Sequence, residues 1–265
     1  MVDTDALLAA YDARMRMPPG TVPTGVTHEY DGPLVRIVGE HVGRIRAPRD
    51  VGVTGADLDR LIARQRDYFQ ARGEGVEWKL RAHDLPPELP ARLVAAGFVP
   101  EEPSTVLIGV AEQVAAEPVL PDGVALRRAG EAEDLRRVAD LQTEVLGSDC
   151  SWVAAYLLAR VSADPDQITV LVAEAGDRLV CAALAVYHPG TEFVALLGGA
   201  TLPQWRGRGL YRAMIATRAG RRLPVASGCC TSTRPRPVRP SCAGAASTRS
   251  PRRRITSGRR RNRAV

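Results

Sequence analysis

The sequence predicts an α/β (α+β) protein made of two consecutive units, each with a mixed, mostly antiparallel sheet flanked by helices. Apolar runs of strand length alternate with amphipathic segments of helix length, and Pro- and Gly-rich segments separate them. The chain has 265 residues, of which 45% are hydrophobic and 5% aromatic. That length accommodates two cores, and the composition predicts cores of Leu, Val, Ile and Ala.

A first unit is predicted over residues 1–118. Apolar spacing and capping residues predict helices at Asp3–Met17, from Thr54 to Gly73, and at Pro86–Ala96. Short apolar runs predict strands at Leu34–Val38, Val76–Ala82 and Ser104–Val110.

A second unit is predicted over residues 122–220. The helices are expected at Glu131–Leu146, at Ser151–Val161, and from Gly209 to about Ala219. The strands are expected at Val124–Arg128, Ile168–Ala175, Leu179–Tyr187 and Glu192–Thr201. Residues 221–265 show neither the two-residue period of a strand nor the 3.6-residue period of a helix, and they contain no aromatic residue. This Arg/Pro/Ser-rich tail is therefore predicted to be disordered.

The charge is unevenly distributed. The first 192 residues hold all 30 acidic residues against 19 basic ones, whereas the last 73 hold 17 arginines and no acid. No apolar run approaches the roughly 20 residues of a membrane span, and the acidic start has no signal-peptide core. A cytoplasmic protein without a membrane partner is expected. The five cysteines and four histidines do not show the spacing of a metal-binding motif, so no metal is expected.

One segment carries a chemical signal, Gln204-x-x-Gly207-x-Gly209, between a predicted strand and a predicted helix. Glycines allow a tight bend that turns several N–H groups to one side, and a helix N-terminus adds partial positive charge. Full positive charge lies beside the bend on Arg206, Arg208 and Arg212. The segment is suited to a pyrophosphate, although an ordinary strand–helix turn stays open as an alternative.

This motif and the order of predicted elements resemble the GCN5-related N-acetyltransferase (GNAT) family, whose pyrophosphate signature is Q/R-x-x-G-x-G/A. The resemblance implies acetyl-CoA as co-substrate, with the pantetheine along the end of the preceding strand. The residues implied to bind it are Gly199, Thr201, Gln204, Arg206, Gly207, Arg208, Gly209, Leu210, Tyr211 and Arg212.

The resemblance also implies direct attack of an amine on the thioester, with a bulge in the strand that ends at Thr201. Gly198-Gly199 suits such a bulge. Glu192 is the candidate base, with a solvated strand-end carboxylate as the alternative. Tyr211 and Tyr187 are candidate proton donors to the thiolate, with simple packing as the alternative.

The first unit also resembles the back half of a GNAT domain, through Leu93-x-x-x-Gly97-Phe98 after a helix. It lacks the glycine motif, so the resemblance implies a tandem arrangement with a degenerate N-terminal half. An unrelated α+β cap is the alternative.

The tail departs from the family pattern, which continues after the glycine motif as helix, strand, helix, strand, strand. Residues 221–265 are not expected to supply those elements, because 39 of the 45 are Arg, Pro, Ser, Thr, Cys, Ala or Gly. Our hypothesis is an out-of-frame product of a GC-rich gene, shifted near Arg218–Leu223. A genuine Arg-rich arm that binds nucleic acid through phosphates is the competing hypothesis.

The sequence thus predicts an acyl-CoA-dependent N-acyltransferase that moves an acetyl group to a primary amine. The amine is expected to belong to a small molecule or a protein, and nucleic acid is not the expected partner. The sequence is also compatible with a homodimer. The alternatives are a catalytically inactive acyl-CoA-binding or interaction protein, and polyanion binding through the tail.

Overall fold

A computed structural model describes residues 3–18, 22–115, 117–219, 228–233 and 253–258. The first part of the chain forms α1 (Thr4–Arg14), β1 (Thr27–Asp31), β2 (Leu34–Val38), β3 (Gly43–Arg46), α2 (Gly55–Ala71), β4 (Val76–Arg81), α3 (Leu89–Ala95), β5 (Val99–Pro100), β6 (Thr105–Val110) and α4 (Ala111–Val114).

The second part forms β7 (Val124–Ala129), α5 (Ala132–Leu146), α6 (Trp152–Ala163), β8 (Ile168–Ala175), β9 (Arg178–Tyr187), β10 (Phe193–Thr201), a 3-10 turn (Pro203–Trp205), α7 (Leu210–Ala219), β11 (Gly228–Thr233) and β12 (Arg253–Gly258). Every helix and strand that the sequence predicts between Asp3 and Ala219 is present, with ends that differ by a few residues.

The strands form two mixed sheets of six strands, in the orders β1-β2-β3-β4-β12-β5 and β6-β11-β10-β9-β8-β7. In the second sheet only β10 and β11 pair in parallel, and the other neighbours are antiparallel. This architecture confirms the predicted α+β class of two consecutive units with helices against the sheets.

The first sheet separates apolar from charged residues by simple alternation. Val76, Trp78 and Leu80 of β4 lie in a core closed by α2 and α3. Successive strand residues point to opposite faces, so Lys79 and Arg81 lie on the other face of the sheet. The face toward the core is closed to solvent at Trp78, which is fully buried. Its ring contacts Phe98 edge-on, with 6.1 Å between the ring centroids.

The second sheet is covered on both faces. Leu135 and Val138 of α5 and Leu157 of α6 are buried with β8 and β9 in the larger core. A smaller cluster on the opposite face contains Val194 and Leu196 of β10, packed against α7. This arrangement holds β10 between two helical layers and fixes the position of the loop that follows it.

The predicted boundary at residue 118 does not separate the two sheets. β6, assigned above to the first unit, pairs with β11 in the second sheet. Tyr11 and Met15 of the first helix are buried in the second unit's core, and Val106 of β6 packs against the same cluster. The difference has a physical cause: a strand belongs to the sheet that satisfies its main-chain hydrogen bonds, which sequence proximity does not determine.

Two short segments of the tail over residues 221–265, which was predicted to be disordered, are described, and both are strands. β11 inserts between β10 and β6, and β12 inserts between β4 and β5. A strand with a neighbour on each side is stabilised through its backbone, so these segments need no side-chain period to form. β11 is also the strand after α7 that the tail was not expected to supply. The rest of the tail, and the hypotheses about it, lie outside the described residues.

Within the described ranges, no helix has both the length and the apolar composition needed to cross a lipid bilayer.

We expect Trp78→Ala to lower the free energy of unfolding by about 3–5 kcal/mol, because it leaves a large cavity in the first core. Val94→Ala, at a position 51% exposed on α3, is the matched control and should change it by less than about 0.5 kcal/mol. Urea unfolding monitored by circular dichroism measures both. Equal losses in the two variants would contradict the assignment of Trp78 to the core.

Candidate cofactor and active site

The centre of the site is a break in the pairing of β10 with β9. Leu197 lies opposite Leu184 and Ala200 opposite Ala182, so two residues of β10 face one of β9. Gly198 within this bulge has φ +61°, in the left-handed region that disfavours side chains. The bulge predicted at Gly198-Gly199 is therefore present, and it interrupts the regular donation of main-chain N–H groups.

On its other edge β10 separates from β11. The parallel pairing joins Phe193–Leu196 to β11 and ends there, while β10 continues to Thr201. The edge of β10 beyond Leu196 is consequently free of β11, and the backbone of Leu197, Gly198 and Gly199 is exposed. An extended ligand could run along this edge and reach the bulge.

The loop after β10 is anchored before it bends. Leu202 is fully buried, and its N–H donates to the Val180 carbonyl over 3.0 Å. Gly207 and Gly209 then adopt φ +75° and +83°. A Cβ at Gly207 would meet no atom within 4 Å, and one at Gly209 would only reach the Val119 carbonyl oxygen at 3.9 Å. No described side chain therefore packs against the Cβ positions of these two glycines.

The bend leads directly into α7. The first hydrogen bond of this helix is donated by the Ala213 N–H to the Gly209 carbonyl, over 3.0 Å. The N–H groups of Gly209, Leu210 and Arg212 precede that bond and have no acceptor within the helix. They add to the partial positive charge at the helix N-terminus, which favours an anion.

The predicted cationic residues flank this N-terminus. The Arg206 Nε–H donates to the Thr201 carbonyl over 3.1 Å, which braces the loop against the end of β10. The Arg208 guanidinium lies over the Trp205 ring, 4.8 Å from its centroid. Gln204 and Arg212 are exposed beside them. Most residues implied to bind acetyl-CoA are thus accessible along one path from Gly199 to Arg212, whereas Leu210 is buried in the larger core.

Of the two catalytic candidates, only Tyr211 lies at the bulge. A Cβ on Gly199 would come within 2.9 Å of the Tyr211 ring, so that ring packs directly on the Gly199 backbone. Glu192 precedes β10 at its far end, about 20 Å from Gly198 along an extended strand. Its carboxylate is half-exposed and forms an ion pair of 3.2 Å with Arg14 of α1.

The other candidate proton donor, Tyr187, lies opposite Val194 and not at the bulge. The Tyr187 hydroxyl is buried and has no hydrogen-bond partner among the described residues. Cys181 is buried beside Thr201, with 3.1 Å between Sγ and Oγ1, and burial raises the pKa of its thiol. The thiol therefore stays protonated at neutral pH and is not a nucleophile.

Two features of the site were not predicted from the sequence. Gln142 of α5 donates from Nε2 to the Gly198 carbonyl over 3.4 Å, which holds the bulge from the helical side. Basic residues also alternate along β3 and β4, as Arg44-Ile45-Arg46 and Lys79-Leu80-Arg81. That alternation is visible in the sequence and would have indicated a charged sheet face. No grouping of three metal-ligating side chains occurs in the described part of the chain.

No protein-family model matches the chain, and no curated protein sequence matches it. Solved structures do resemble it. A GCN5-related N-acetyltransferase from Kribbella flavida is 18% identical, with a TM-score of 0.59 over 79% of this chain and 80% of that one. A tandem GNAT protein from the clavulanic acid biosynthesis pathway is 14% identical, with a TM-score of 0.55 over 87% of each chain. The chain therefore has the GNAT fold, in the tandem arrangement.

We expect Gly199→Ala to lower the free energy of unfolding by about 1–3 kcal/mol, because the added methyl group overlaps the Tyr211 ring. Gly109→Ala, where a Cβ meets nothing within 4 Å, is the control and should cost nothing measurable. Urea unfolding of Gly199→Ala, Tyr211→Ala and the double variant forms a double-mutant cycle. A coupling energy near zero would show that Tyr211 does not pack on Gly199.

Proposed function

We propose that the protein is an acyl-CoA-dependent N-acyltransferase that transfers an acetyl group from acetyl-CoA to a primary amine. The observation that carries this proposal is the separation of β10 from β11 after Leu196, directly before a glycine bend that opens onto a helix N-terminus. The GNAT fold supports this activity, and the site carries the argument for it.

The bend suits the pyrophosphate of acetyl-CoA. Both glycines have left-handed φ, and no side chain of the described residues lies within 4 Å of their Cβ positions. Main-chain donors at the start of α7 would then bond charged oxygens, at roughly 1.5–3 kcal/mol for each bond. Arg206, Arg208 and Arg212 supply the balancing charge. The residues proposed to hold the cofactor are thus those of the path from Gly199 to Arg212.

The free edge of β10 suits the pantetheine arm. This arm carries amides that can pair with exposed main-chain groups, as a further strand would. The bulge at Gly198-Gly199 would present a main-chain N–H near the end of the arm. A thioester carbonyl at that point would accept a hydrogen bond from this N–H and become more electrophilic. Gln142 keeps the bulge in position.

Acetyl-CoA supplies an activated thioester, so the amine nitrogen bonds to the carbonyl carbon while the C–S bond breaks and the electron pair leaves on sulfur. The amine releases one proton, and the thiolate gains one. Tyr211 is the proposed donor to the thiolate, because its ring lies on Gly199. Glu192, paired with Arg14, would receive the amine proton only through water.

A catalytically inactive acetyl-CoA-binding protein is the second candidate, because the candidate base is ion-paired and distant from the bulge. Release of free thiol from acetyl-CoA in the presence of a panel of primary amines separates the two. Thiol release that depends on the amine supports the transferase, and acetyl-CoA binding without it supports the inactive protein.

We expect Gly209→Ala to weaken acetyl-CoA binding by about 10-fold or more, because a side chain at φ +83° moves the N–H donors of the bend. Gly52→Ala is the matched control, with φ +72° and open space in a loop of the first unit. Both variants carry similar backbone strain, but only the first should change the dissociation constant in calorimetric titration.

Hydrogen exchange of the wild-type chain adds a local measurement. Acetyl-CoA should slow exchange of the amides between Gly207 and Arg212, and leave those around Gly52 unchanged. Binding that protects neither segment, or an equal loss of affinity in both glycine variants, would contradict the proposed cofactor site.

A further inference from the structure

A cavity of about 140 Å³ lies between the two sheets. Ala195 and Leu197 of β10 form part of one wall, so the cavity reaches the residue that directly precedes Gly198. The charged face of β3 and β4 forms the opposite wall. One water takes roughly 10–15 Å³ of such space, so the cavity has room for about ten non-hydrogen atoms. It is therefore of the size of a small acceptor and lies where an acceptor must approach.

The charge of the wall follows from strand alternation. Arg44 and Arg46 are two residues apart on β3, and Lys79 and Arg81 are two residues apart on β4. Each pair shares one face of its strand, while the intervening apolar residues enter the first core. Arg160 of α6 adds a fifth cation from the second unit.

Two of these cations share one acid. Arg44 forms an ion pair with Glu40, and Arg160 NH1 lies 3.8 Å from the other oxygen of that carboxylate. Glu40 therefore offsets part of the positive charge of Arg44 and Arg160, the two cations nearest to it.

The other cations have an acid near them, Glu77 of β4, which acts on Arg46 and Lys79. Arg81 donates from Nε and NH2 to the Tyr11 hydroxyl, over 3.3 and 3.0 Å. The Nε of Arg46 is buried with no hydrogen-bond partner among the described residues. A buried guanidinium nitrogen without an acceptor is costly, so an oxyanion that reached it would be strongly favoured.

The protonation equilibria agree with this geometry. Burial, together with repulsion from Arg46, lowers the pKa of Lys79 to about 8, although Glu77 opposes the shift. Burial and the neighbouring cations lower the pKa of Arg46 to about 10. Burial, with Arg46 and Arg160 nearby, lowers the pKa of His188 to about 4, so its imidazole is neutral at pH 7.

We infer that this cavity binds the acceptor, and that it selects a small primary amine that also carries an oxyanion, either a carboxylate or a phosphate. The inference rests on the proposed function, because it treats the bulge as the place where the acetyl group is transferred. The oxyanion would bond Arg46 and neighbouring cations, and the amine would extend toward Leu197.

This arrangement also helps the chemistry. An ammonium group near several cations has a lowered pKa, since like charge disfavours its protonated form. The bound acceptor would lose its proton to solvent more readily and present a free lone pair to the thioester. The chain would then need no strong carboxylate base at the bulge, which agrees with the distant, ion-paired position of Glu192.

A single NMR signal tests the inference. The sequence contains one lysine, Lys79, so protein labelled with ¹³C-lysine gives one εCH₂ resonance. The groups facing Lys79 are Arg44, Arg46, Glu77 and Arg81, and only Glu77 favours the charged amine. A bound oxyanion adds attraction, so the midpoint of the Lys79 titration should rise from about 8 by roughly one unit or more.

The probes are two matched pairs, β-alanine with β-alaninamide and O-phosphoethanolamine with ethanolamine. We expect one oxyanion-bearing member to raise the midpoint, and its counterpart, a simple ammonium ion without an oxyanion, not to raise it. Which member does so distinguishes a carboxylate from a phosphate. No shift with either, or equal shifts within both pairs, would overturn the inference.

Arg46→Met removes the cation whose Nε has no hydrogen-bond partner among the described residues, and it should weaken binding of the preferred probe by about 10- to 100-fold. Arg136→Met, on the exposed surface of α5, removes one positive charge elsewhere and should leave binding unchanged. Replacing a buried charge by an apolar side chain is compatible with folding, and Arg160→Met provides a second variant of the wall. Unchanged binding in both wall variants would also overturn the inference.

The two proposals fail separately. Acetyl-CoA titration tests the cofactor site without any amine, and the Lys79 titration tests the cavity without acetyl-CoA. Acetyl-CoA binding without an oxyanion effect would remove only the acceptor class. An oxyanion effect without acetyl-CoA binding would contradict the proposed function and leave an anion site in the cavity.

Discussion

The candidate site depends on one constraint: the pairing of β10 with β11 ends after Leu196, and its pairing with β9 is interrupted between Leu197 and Ala200. Toward β9 the glycine pair Gly198-Gly199 inserts an extra residue, and toward β11 the ladder ends. The two interruptions lie side by side along β10, because the pairing with β11 ends at Leu196 and the bulge toward β9 begins after Leu197. The helical layers on the two faces prevent β10 from moving to restore either ladder. Unsatisfied main-chain groups and an open edge therefore persist in an otherwise well-packed sheet, which is the condition for binding an extended polar ligand there.

Features that arise from neighbouring residues could be predicted from the sequence. The bulge and the bend follow from glycines whose φ values other residues avoid, and the apolar stripe of α5 follows from its helical spacing. Features that join distant parts of the chain could not be predicted. Glu192 meets Arg14 across 178 positions, β6 leaves its own unit for the second sheet, and β11 forms from a segment without a hydrophobic period. β3 was missed because four residues with two arginines resemble a loop when read alone.

The cavity shows why the tandem arrangement matters to chemistry. The degenerate half lacks the glycine motif, yet its sheet supplies four of the five cations that face the space beside β10. A single GNAT-like unit would leave that side of the bulge open to water, where exposed charges are screened and bind small ions weakly. Enclosure between two sheets lowers the effective dielectric constant, so the same charges bind a small anion more strongly.

The exchange of strands between the halves also bears on how the protein folds. β12 (Arg253–Gly258) inserts between β4 and β5, so the first sheet is completed by a segment that follows the second unit in the chain. Without β12, β4 has an unpaired edge beside a finished core, which is a template for pairing with another chain. Completion of the first sheet is therefore coupled to the part of the chain beyond the second unit, and a chain without β12 would expose an edge that the whole sheet conceals.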